Sequence, residues 1–173
     1  MKVTFAPRGI LQIDDARLIF RNFSGREDMY NRAGNRNFAV LIEDEETKDE
    51  LLADVNDDGV AWNVKIKAPR EEGDTPFMFL PVKLKFNGRG PKVYLKTGNR
   101  TNELDEDSVG ILDDIDIASV DLDVRPYDGA TQGKPFRTAY LQSIHVTQQV
   151  DRFAARLAEE EYPEEIDSDD LPF

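Results

Sequence analysis

Residues 77–86 read FMFLPVKLKF, and their alternation of apolar with aromatic or basic side chains decides the fold class of this chain. A period of two places successive side chains on opposite faces of a β-strand, so one face of this segment belongs to a core and the other is exposed. The core face is predicted to hold Met78, Leu80, Val82, Leu84 and Phe86. The exposed face is predicted to hold Phe77, Phe79, Pro81, Lys83 and Lys85.

Residues 92–96 (KVYLK) repeat this pattern after a turn over residues 87–91 (NGRGP). The two segments therefore predict a β-hairpin with Val93 and Leu95 facing inward. Residues 76–100 contain six basic residues and no acidic one. The outward surface of the hairpin would mix rings with ammonium groups: Phe77, Phe79, Lys83, Lys85, Lys92, Tyr94 and Lys96.

That surface suits an unpaired nucleic-acid strand, because every base can stack on Phe or Tyr while cations neutralise the phosphates. Each stacked base contributes roughly 1 to 3 kcal/mol, largely independently of sequence. The plainer alternative is that Phe77 and Phe79 cover a second apolar layer and that the lysines are ordinary solvated residues.

Upstream, residues 9–23 (GILQIDDARLIFRNF) predict a strand with a bend at its two aspartates. Alternation along this strand puts Leu18 and Phe20 on the same face. Residues 24–35 predict a polar loop, and residues 36–42 a second strand. Candidates for contact with nucleic acid on the first strand and the loop are Arg17, Arg21, Arg26, Tyr30 and Arg32.

Residues 43–55 (EDEETKDELLADV) are the best internal helix candidate, because acidic residues in the first turn complement the helix dipole. Leu51, Leu52 and Val55 would form the buried side of this helix.

Residues 54–59 (DVNDDG) resemble the start of an EF-hand loop. The twelfth position of such a loop falls on Lys65, where calcium needs a bidentate glutamate. We therefore expect a helix stop with a tight turn and no metal, followed by a strand over residues 60–67.

Downstream, residues 101–116 predict an acidic loop with a short helical turn, and residues 115–125 (IDIASVDLDVR) a strand. Residues 127–135 predict a turn, and residues 136–146 (FRTAYLQSIHV) a long last strand. Several strands with one internal helix predict a mainly-β fold, an OB-fold-like barrel with helical insertions.

The chain divides into three predicted parts. Residues 1–150 form the OB-like domain, and residues 151–162 a short helix capped by Asp151. Residues 163–173 (PEEIDSDDLPF) form a disordered acidic tail, because its carboxylates cannot be buried together without a large desolvation cost. The tail nevertheless ends in an apolar plug.

The formal net charge of −13 hides a strongly uneven distribution. Residues 76–100 are wholly basic in their charged residues, whereas residues 101–124 carry nine acidic residues and no basic one. Charges are screened over about 8 to 10 Å, so the local potential decides what a groove attracts.

The amino-acid composition excludes several classes of protein. The chain has no cysteine, which excludes a disulfide framework, thiolate metal ligands and a cysteine nucleophile. No window approaches 18 uninterrupted apolar residues, and a signal-peptide pattern is missing from the N-terminal residues. We therefore expect a soluble, cytoplasmic protein.

Catalytic chemistry finds little support. The aspartates of residues 113–123 have no histidine or lysine partner nearby in the sequence, and acidic runs are usually solvated surface. His145 lies in the middle of a predicted strand, Ser24 and Ser143 lack the setting of a nucleophile, and no phosphate-binding loop is present. We expect no enzyme activity, no cofactor and no catalytic metal.

The ending DSDDLPF resembles the acidic tip of bacterial and phage single-stranded DNA-binding proteins, in which an Asp run leads to a C-terminal Phe. With the long first strand, the Arg/Tyr loop, the basic aromatic hairpin and the closing strand pair, the chain resembles a phage-type single-stranded DNA-binding protein with an OB-fold. Only the tip is a motif match, over about six residues; the acidic segment 101–124 departs from the bacterial layout.

This resemblance implies binding and protection of single-stranded DNA (ssDNA) in phage replication or recombination, inside the host bacterial cytoplasm. Stacking would fall to Phe77, Phe79 and Tyr94. Backbone contacts would fall to Arg17, Arg21, Lys83, Lys85, Lys92 and Lys96, and a clamp to Arg26, Tyr30 and Arg32. Recruitment of replication proteins would use Asp169, Asp170, Leu171, Pro172 and Phe173. Without DNA, the tail could occupy the cationic groove.

Two alternatives stay open on the sequence. A non-enzymatic inhibitor that mimics the charge of DNA would use the acidic segments as its site. A virion or assembly β-protein would form a large oligomer and bind no DNA. The acidic tail itself has a plain interpretation as a solvated terminus that ends in Phe.

Overall fold

The computed structural model describes residues 1–88 and 90–151, which form a curved β-sheet with one α-helix, α1 (Glu45–Ala53). Short 3₁₀ helices lie at Pro7–Gly9 and Val109–Asp113. The strands are β1 (Lys2–Phe5), β2 (Leu11–Asp14), β3 (Leu18–Asn22), β4 (Arg36–Ile42), β5 (Lys65–Lys67), β6 (Phe77–Leu84), β7 (Lys92–Thr97), β8 (Arg100–Leu104), β9 (Ile117–Thr131) and β10 (Lys134–Gln148). The predicted mainly-β class is confirmed.

The sheet curls into a partly open barrel because β2 and β3, which pair with β9 and β4, are two parts of one interrupted strand. The strand order is β1-β2-β9-β10-β6-β4-β3, and β2 and β3 are separated only by residues 15–17. Asp15 bends the chain there with a φ of 54°. On one side of the bend the Ala16 amide donates to the Val120 carbonyl of β9, and on the other the Leu41 amide of β4 donates to the Arg17 carbonyl. The expected bend and OB-like barrel are both present.

The core lies inside this barrel and follows the alternation in the sequence. Met78, Leu80, Val82 and Leu84 of β6 are buried, as are Val93 and Leu95 of β7. The residues between them on each strand lie on the outer face, as predicted.

The predicted hairpin of β6 and β7 is wrong. Both strands run parallel to β10, along the same edge of it and one after the other: Lys83 pairs with Tyr140, and Tyr94 pairs with His145. Alternation fixes the face on which each side chain lies, but it does not name the partner strand. β10 is long enough, at 15 residues, to pair with both segments in succession.

The second half of the chain extends further as strand than predicted. Residues 127–135, expected to be a turn, continue β9 and β10 to a tight turn at Gln132 and Gly133, both with positive φ. The start of the expected acidic loop is instead β8, which forms a hairpin with β7. The short helical turn expected in this loop is present as the 3₁₀ helix Val109–Asp113.

Helix α1 is shorter than predicted and buries fewer residues. Leu51 is buried, but Leu52 and Val55 are exposed, so their predicted burial is wrong. The helix ends at Ala53, which leaves Val55 outside it, and Leu52 lies about 100° around the axis from Leu51. The expected tight turn follows, with Asn56 Oδ1 accepting from the Asp58 and Val60 amides.

A buried arginine joins the segment that follows α1 to the barrel. Arg137 of β10 packs its guanidinium 5.1 Å from the ring centroid of Trp62 and donates from Nε to Asp128 at 2.7 Å. The same bond holds the pKa of Asp128 below its usual range. The Trp62 indole nitrogen donates to Asp54, 2.8 Å away. The strand expected over residues 60–67 is regular only over β5.

Candidate nucleic-acid interface

Two adjacent cavities lie on the outer face of β4 and β6 beneath the first loop, which we define as residues 23–35 between β3 and β4; together we call them the groove. One half is a cavity of about 630 Å³ whose lining includes Phe20, Arg26, Tyr30 and Asn37. The other half, of about 590 Å³, is lined by Tyr30 and Asn37 again and by Lys83, Lys85 and Tyr140, among others. Since Tyr30 and Asn37 line both cavities, the two halves are neighbours.

Two lysines give the groove its positive charge. Lys83 and Lys85 are exposed, and neither forms a salt bridge within the part of the chain that the structure describes. Their ammonium groups are therefore available to an anionic ligand.

The first loop is held in shape by asparagine side chains. Asn31 donates from Nδ2 to the carbonyl oxygens of Arg26, Arg32 and Asn35, at 2.8 to 3.1 Å. Asn37 donates to Asn31 Oδ1 at 3.0 Å. These bonds use buried or half-buried amides to fix a loop whose sequence contains little apolar material to pack.

A carboxylate anchors the start of the same loop. Both oxygens of Asp113 accept hydrogen bonds, from the Phe23 amide at 2.7 Å and from the Ser24 amide and hydroxyl at 3.1 and 2.7 Å. Arg26 Nη2 lies 3.9 Å from the same carboxylate. The acidic segment thus supplies a structural support for the loop.

Tyr30 is presented to solvent by this ordered loop. Its side chain is 94% exposed, and its amide donates to Asp28 Oδ1 at 2.7 Å. An aromatic ring held over a groove without burial gains little for folding, so it is free to contact a ligand.

Three phenylalanines, Phe20, Phe77 and Phe79, lie together at one end of the groove and form what we call the phenylalanine cluster. The Phe20 ring meets Phe77 and Phe79 edge-on, with centroids 6.1 and 5.4 Å apart. Lys65 and Lys67 of β5 pair opposite Phe79 and Phe77, and Lys67 Nζ lies 6.0 Å from the Phe79 centroid. The end of the groove combines exposed rings with cations.

Three more rings, Tyr127, Phe136 and Tyr140, lie at the other end and form what we call the tyrosine cluster. Tyr127 contacts Phe136 and Tyr140 with centroids 6.1 and 6.0 Å apart, and the Arg125 guanidinium lies 5.2 Å from the Tyr140 centroid. A Cβ at Gly129 would stand 2.7 Å from Phe136, so the rings close over a position that only glycine leaves open.

The first-strand arginines lie differently from each other. Arg17 lines a separate cavity and sits 3.8 Å from Glu43, so it is not in the groove. Arg21 lines the groove, but its Nη1 donates to the carbonyl oxygens of Leu112 and Ile115 at 2.7 and 2.8 Å. Its guanidinium therefore ties the first strand to the acidic segment. Arg32 is exposed on the first loop outside the groove lining.

The structure separates the predicted β7 residues from the predicted β6 residues. Lys92, Tyr94 and Lys96 share an outer face of β7 beside the second half of β10, where the Tyr94 ring lies 6.5 Å from His145. Lys92 lies 3.4 Å from Glu103 of β8. Lys92 lines an adjoining cavity of about 540 Å³, which shares Phe86 and Glu106 with the groove.

Sequence reasoning missed four aromatic residues of this surface. Phe20 was expected to share the face of Leu18, but a register shift between Ile19 and Asn22 turns its ring outward. Tyr127 was hidden in a predicted turn. Phe136 and Tyr140 alternate with buried residues along the last strand, and that signal could have found them.

The tail residues Asp169 to Phe173 and the predicted helix over 151–162 fall almost wholly outside the described residues. Within the part of the chain that is described, no helix has the length and apolar character needed to cross a bilayer.

Comparison with known proteins finds a family model that matches most of the chain. Residues 2–170 match the family model described as a phage ssDNA-binding domain. No curated protein matches the chain.

Three solved structures of the single-stranded DNA-binding protein from bacteriophage Enc34 are similar to the chain. A C-terminal truncation of that protein is 12% identical to this chain. The match covers 86% of this chain and 91% of the truncated protein, with a TM-score of 0.47. A complex with ssDNA is 12% identical, with coverages of 87% and 93% and a TM-score of 0.46. A third structure is 13% identical, with coverages of 98% and 98% and a TM-score of 0.45.

Proposed function

This chain belongs to the phage ssDNA-binding domain family, and from that premise we propose that it binds unpaired DNA in the groove beneath the first loop. The observation that best supports the proposal is that Tyr30 and Tyr140 line one cavity together with Lys83 and Lys85. Rings stack on bases and ammonium groups neutralise phosphates, whatever the base sequence.

The position of the groove on the barrel supports the same proposal. Oligonucleotides bind OB-folds on the face of the second and third strands, between the loop that joins strands one and two and the loop that joins strands four and five. Here those strands are β4 and β6, and those loops are the first loop and the β9–β10 turn. The groove lies on that face.

Not all of the residues predicted to bind DNA are placed to do so. Phe77 and Phe79 stack on bases, Lys83 and Lys85 bind phosphates, and Arg26 and Tyr30 clamp the strand from the first loop. Arg21 contributes only if its guanidinium leaves two backbone carbonyls, and Arg17 and Arg32 lie outside the groove. Lys92, Tyr94 and Lys96 serve a strand that continues past Phe86 along β7.

The biological role follows from binding without base preference. We infer that the chain protects unwound DNA in phage replication or recombination, in the host bacterial cytoplasm, and that it acts by binding and not by catalysis. Membership of the family favours this role over a DNA-mimicking inhibitor or a virion protein.

A fluorescence titration with a thymidine oligonucleotide tests DNA binding directly. The log-log slope of affinity against salt is about −0.7 for each phosphate neutralised, so Lys83→Ala with Lys85→Ala should flatten the slope by about 1.4. Lys2→Ala, at an exposed lysine of β1, is the matched control and should leave the slope unchanged. Absence of binding at low salt, even after deletion of the tail, would refute the proposal.

The acidic tail has a proposed role of its own. Its carboxylates compete with DNA for the groove, and Asp169, Asp170, Leu171, Pro172 and Phe173 recruit replication proteins. Deletion of residues 163–173 should tighten DNA binding at low salt and abolish capture of a replication partner. Phe173→Ala should abolish capture alone, because it keeps every carboxylate side chain. Unchanged DNA affinity after the deletion would remove the competition.

A further inference from the structure

The phenylalanine cluster contains a residue with a strained backbone. Phe20 has a φ of 53° and is 61% exposed. Positive φ in a bulky residue is unfavourable, and such strain persists where the surrounding structure or a function requires it. Exposing the ring contributes little burial in return.

The strained backbone of Phe20 coincides with a ring position on the outer face of the barrel, where a ligand can contact the ring. Because the register of β3 against β4 shifts between Ile19 and Asn22, Phe20 leaves the core side of the strand and joins Phe77 and Phe79 on the outside. The three rings are bordered by Lys65 and Lys67. Exposed rings with flanking cations suit unpaired bases linked by phosphates.

The tyrosine cluster, at the far end of the groove, likewise combines aromatic rings with a cation. Its rings are accompanied by Arg125, and Tyr140 pairs with Lys83 of β6. From Phe79 to Lys83 is a run of four residues along β6, or about 13 Å at roughly 3.3 Å per residue. That span corresponds to about four nucleotides at roughly 3.4 Å per stacked nucleotide.

We propose that one DNA strand is held by its bases at both clusters at once, with its phosphates on Arg26, Lys83 and Lys85. This inference rests on the proposed function and adds to it a bipartite site with a minimum strand length. A strand that reaches both clusters gains the second contact at high effective concentration, whereas a shorter strand does not.

Affinity measured against strand length tests the bipartite site in the full-length protein. Wild-type affinity should rise steeply between about three and about eight thymidines, because only the longer strand bridges the clusters. Phe20→Ala or Tyr127→Ala should weaken binding of the longer strand by about fivefold or more and remove most of that rise. Phe5→Ala, at a comparably exposed ring of β1, is the matched control and should leave both affinities unchanged.

Cross-linking gives a second measurement that does not depend on affinity. A strand of about eight thymidines with 5-iododeoxyuridine at one terminus should cross-link to peptides of the phenylalanine cluster, and with the label at the other terminus to peptides of the tyrosine cluster. Both labels on the same cluster, or an unchanged affinity of the longer strand for Phe20→Ala, would overturn the bipartite site. Failure of the wild type to bind any strand would instead overturn the proposed function.

Discussion

At the scale of residues, the molecule keeps two aromatic rings in solvent by opposite means. Tyr30 lies on a loop whose backbone carbonyls accept hydrogen bonds from the Asn31 side chain. Its ring is therefore exposed without local backbone strain. Phe20 is exposed through a left-handed backbone that costs on the order of 1 kcal/mol or more. In both cases the exposed ring lies at the groove and contributes little hydrophobic burial to folding.

A half-buried carboxylate makes stability depend on pH in a direction unusual for aspartate. Burial, with the nearby Asp14 charge as a second cause, raises the pKa of Asp123 above its ordinary value. The folded protein therefore binds a proton there more readily than the unfolded chain does. The cost of the charged form is absent at pH below the unfolded pKa, and it is fully present above the folded one.

Asp123→Asn should therefore raise the melting temperature at pH 7 and leave it almost unchanged near pH 3, where both side chains are neutral. Thermal unfolding of the variant and the wild type at the two pH values measures the difference. Asp74→Asn makes the same charge change on an exposed loop and should show no such pH dependence. A variant that is less stable than the wild type at pH 7 would contradict the assignment.

At the scale of elements, the placement of β8 gives the acidic segment a role at the groove. Glu103 forms a salt bridge with Lys92. Glu106 Oε1 lies 4.0 Å from Nη2 of Arg36, and the Arg36 side chain is only 16% exposed. Glu106 lines the groove, and both glutamates line the cavity that adjoins it. Two carboxylates thus stand where a strand that leaves the groove toward β7 would place phosphates.

Neutralising these carboxylates should tighten binding of long ssDNA. Each exposed ion pair contributes about 0.2 to 1 kcal/mol, so Glu103→Gln and Glu106→Gln should each raise affinity by up to about fivefold at low salt. The gain should vanish near 1 M salt, where screening is nearly complete. Titration alongside Glu71→Gln with Glu72→Gln, which changes the same charge on an exposed loop, supplies the control. Weaker binding by the glutamine variants would show that the carboxylates support the groove.

At the scale of the whole molecule, a chain of net charge −13 can bind a polyanion because its charges are segregated. The barrel carries Lys83 and Lys85 on the face of β4 and β6, while much of the acidic charge lies in α1, in the 101–116 segment and in the sequence of the tail. Over a screening length of about 8 to 10 Å, the strand experiences the face it touches and not the total.

The mainly-β class, the buried and exposed faces of β6 and β7, and the bend in the first strand were all predictable from the sequence. These properties depend on alternation and on local backbone preference, which neighbouring residues carry. It also placed Tyr30, Phe77, Phe79, Lys83 and Lys85 on the exposed surface, since a basic and aromatic outer face is visible in a single strand.

Which of these residues lie next to each other depends on the tertiary structure. β7 follows β6 along one edge of β10, so Lys92, Tyr94 and Lys96 lie apart from the phenylalanine cluster. Phe20 entered the site through a register shift, and Tyr127, Phe136 and Tyr140 entered because the last two strands cross the barrel beside Lys83. Strand pairing depends on contacts between distant segments, and a period of two records the face of a side chain but not its neighbour across the sheet.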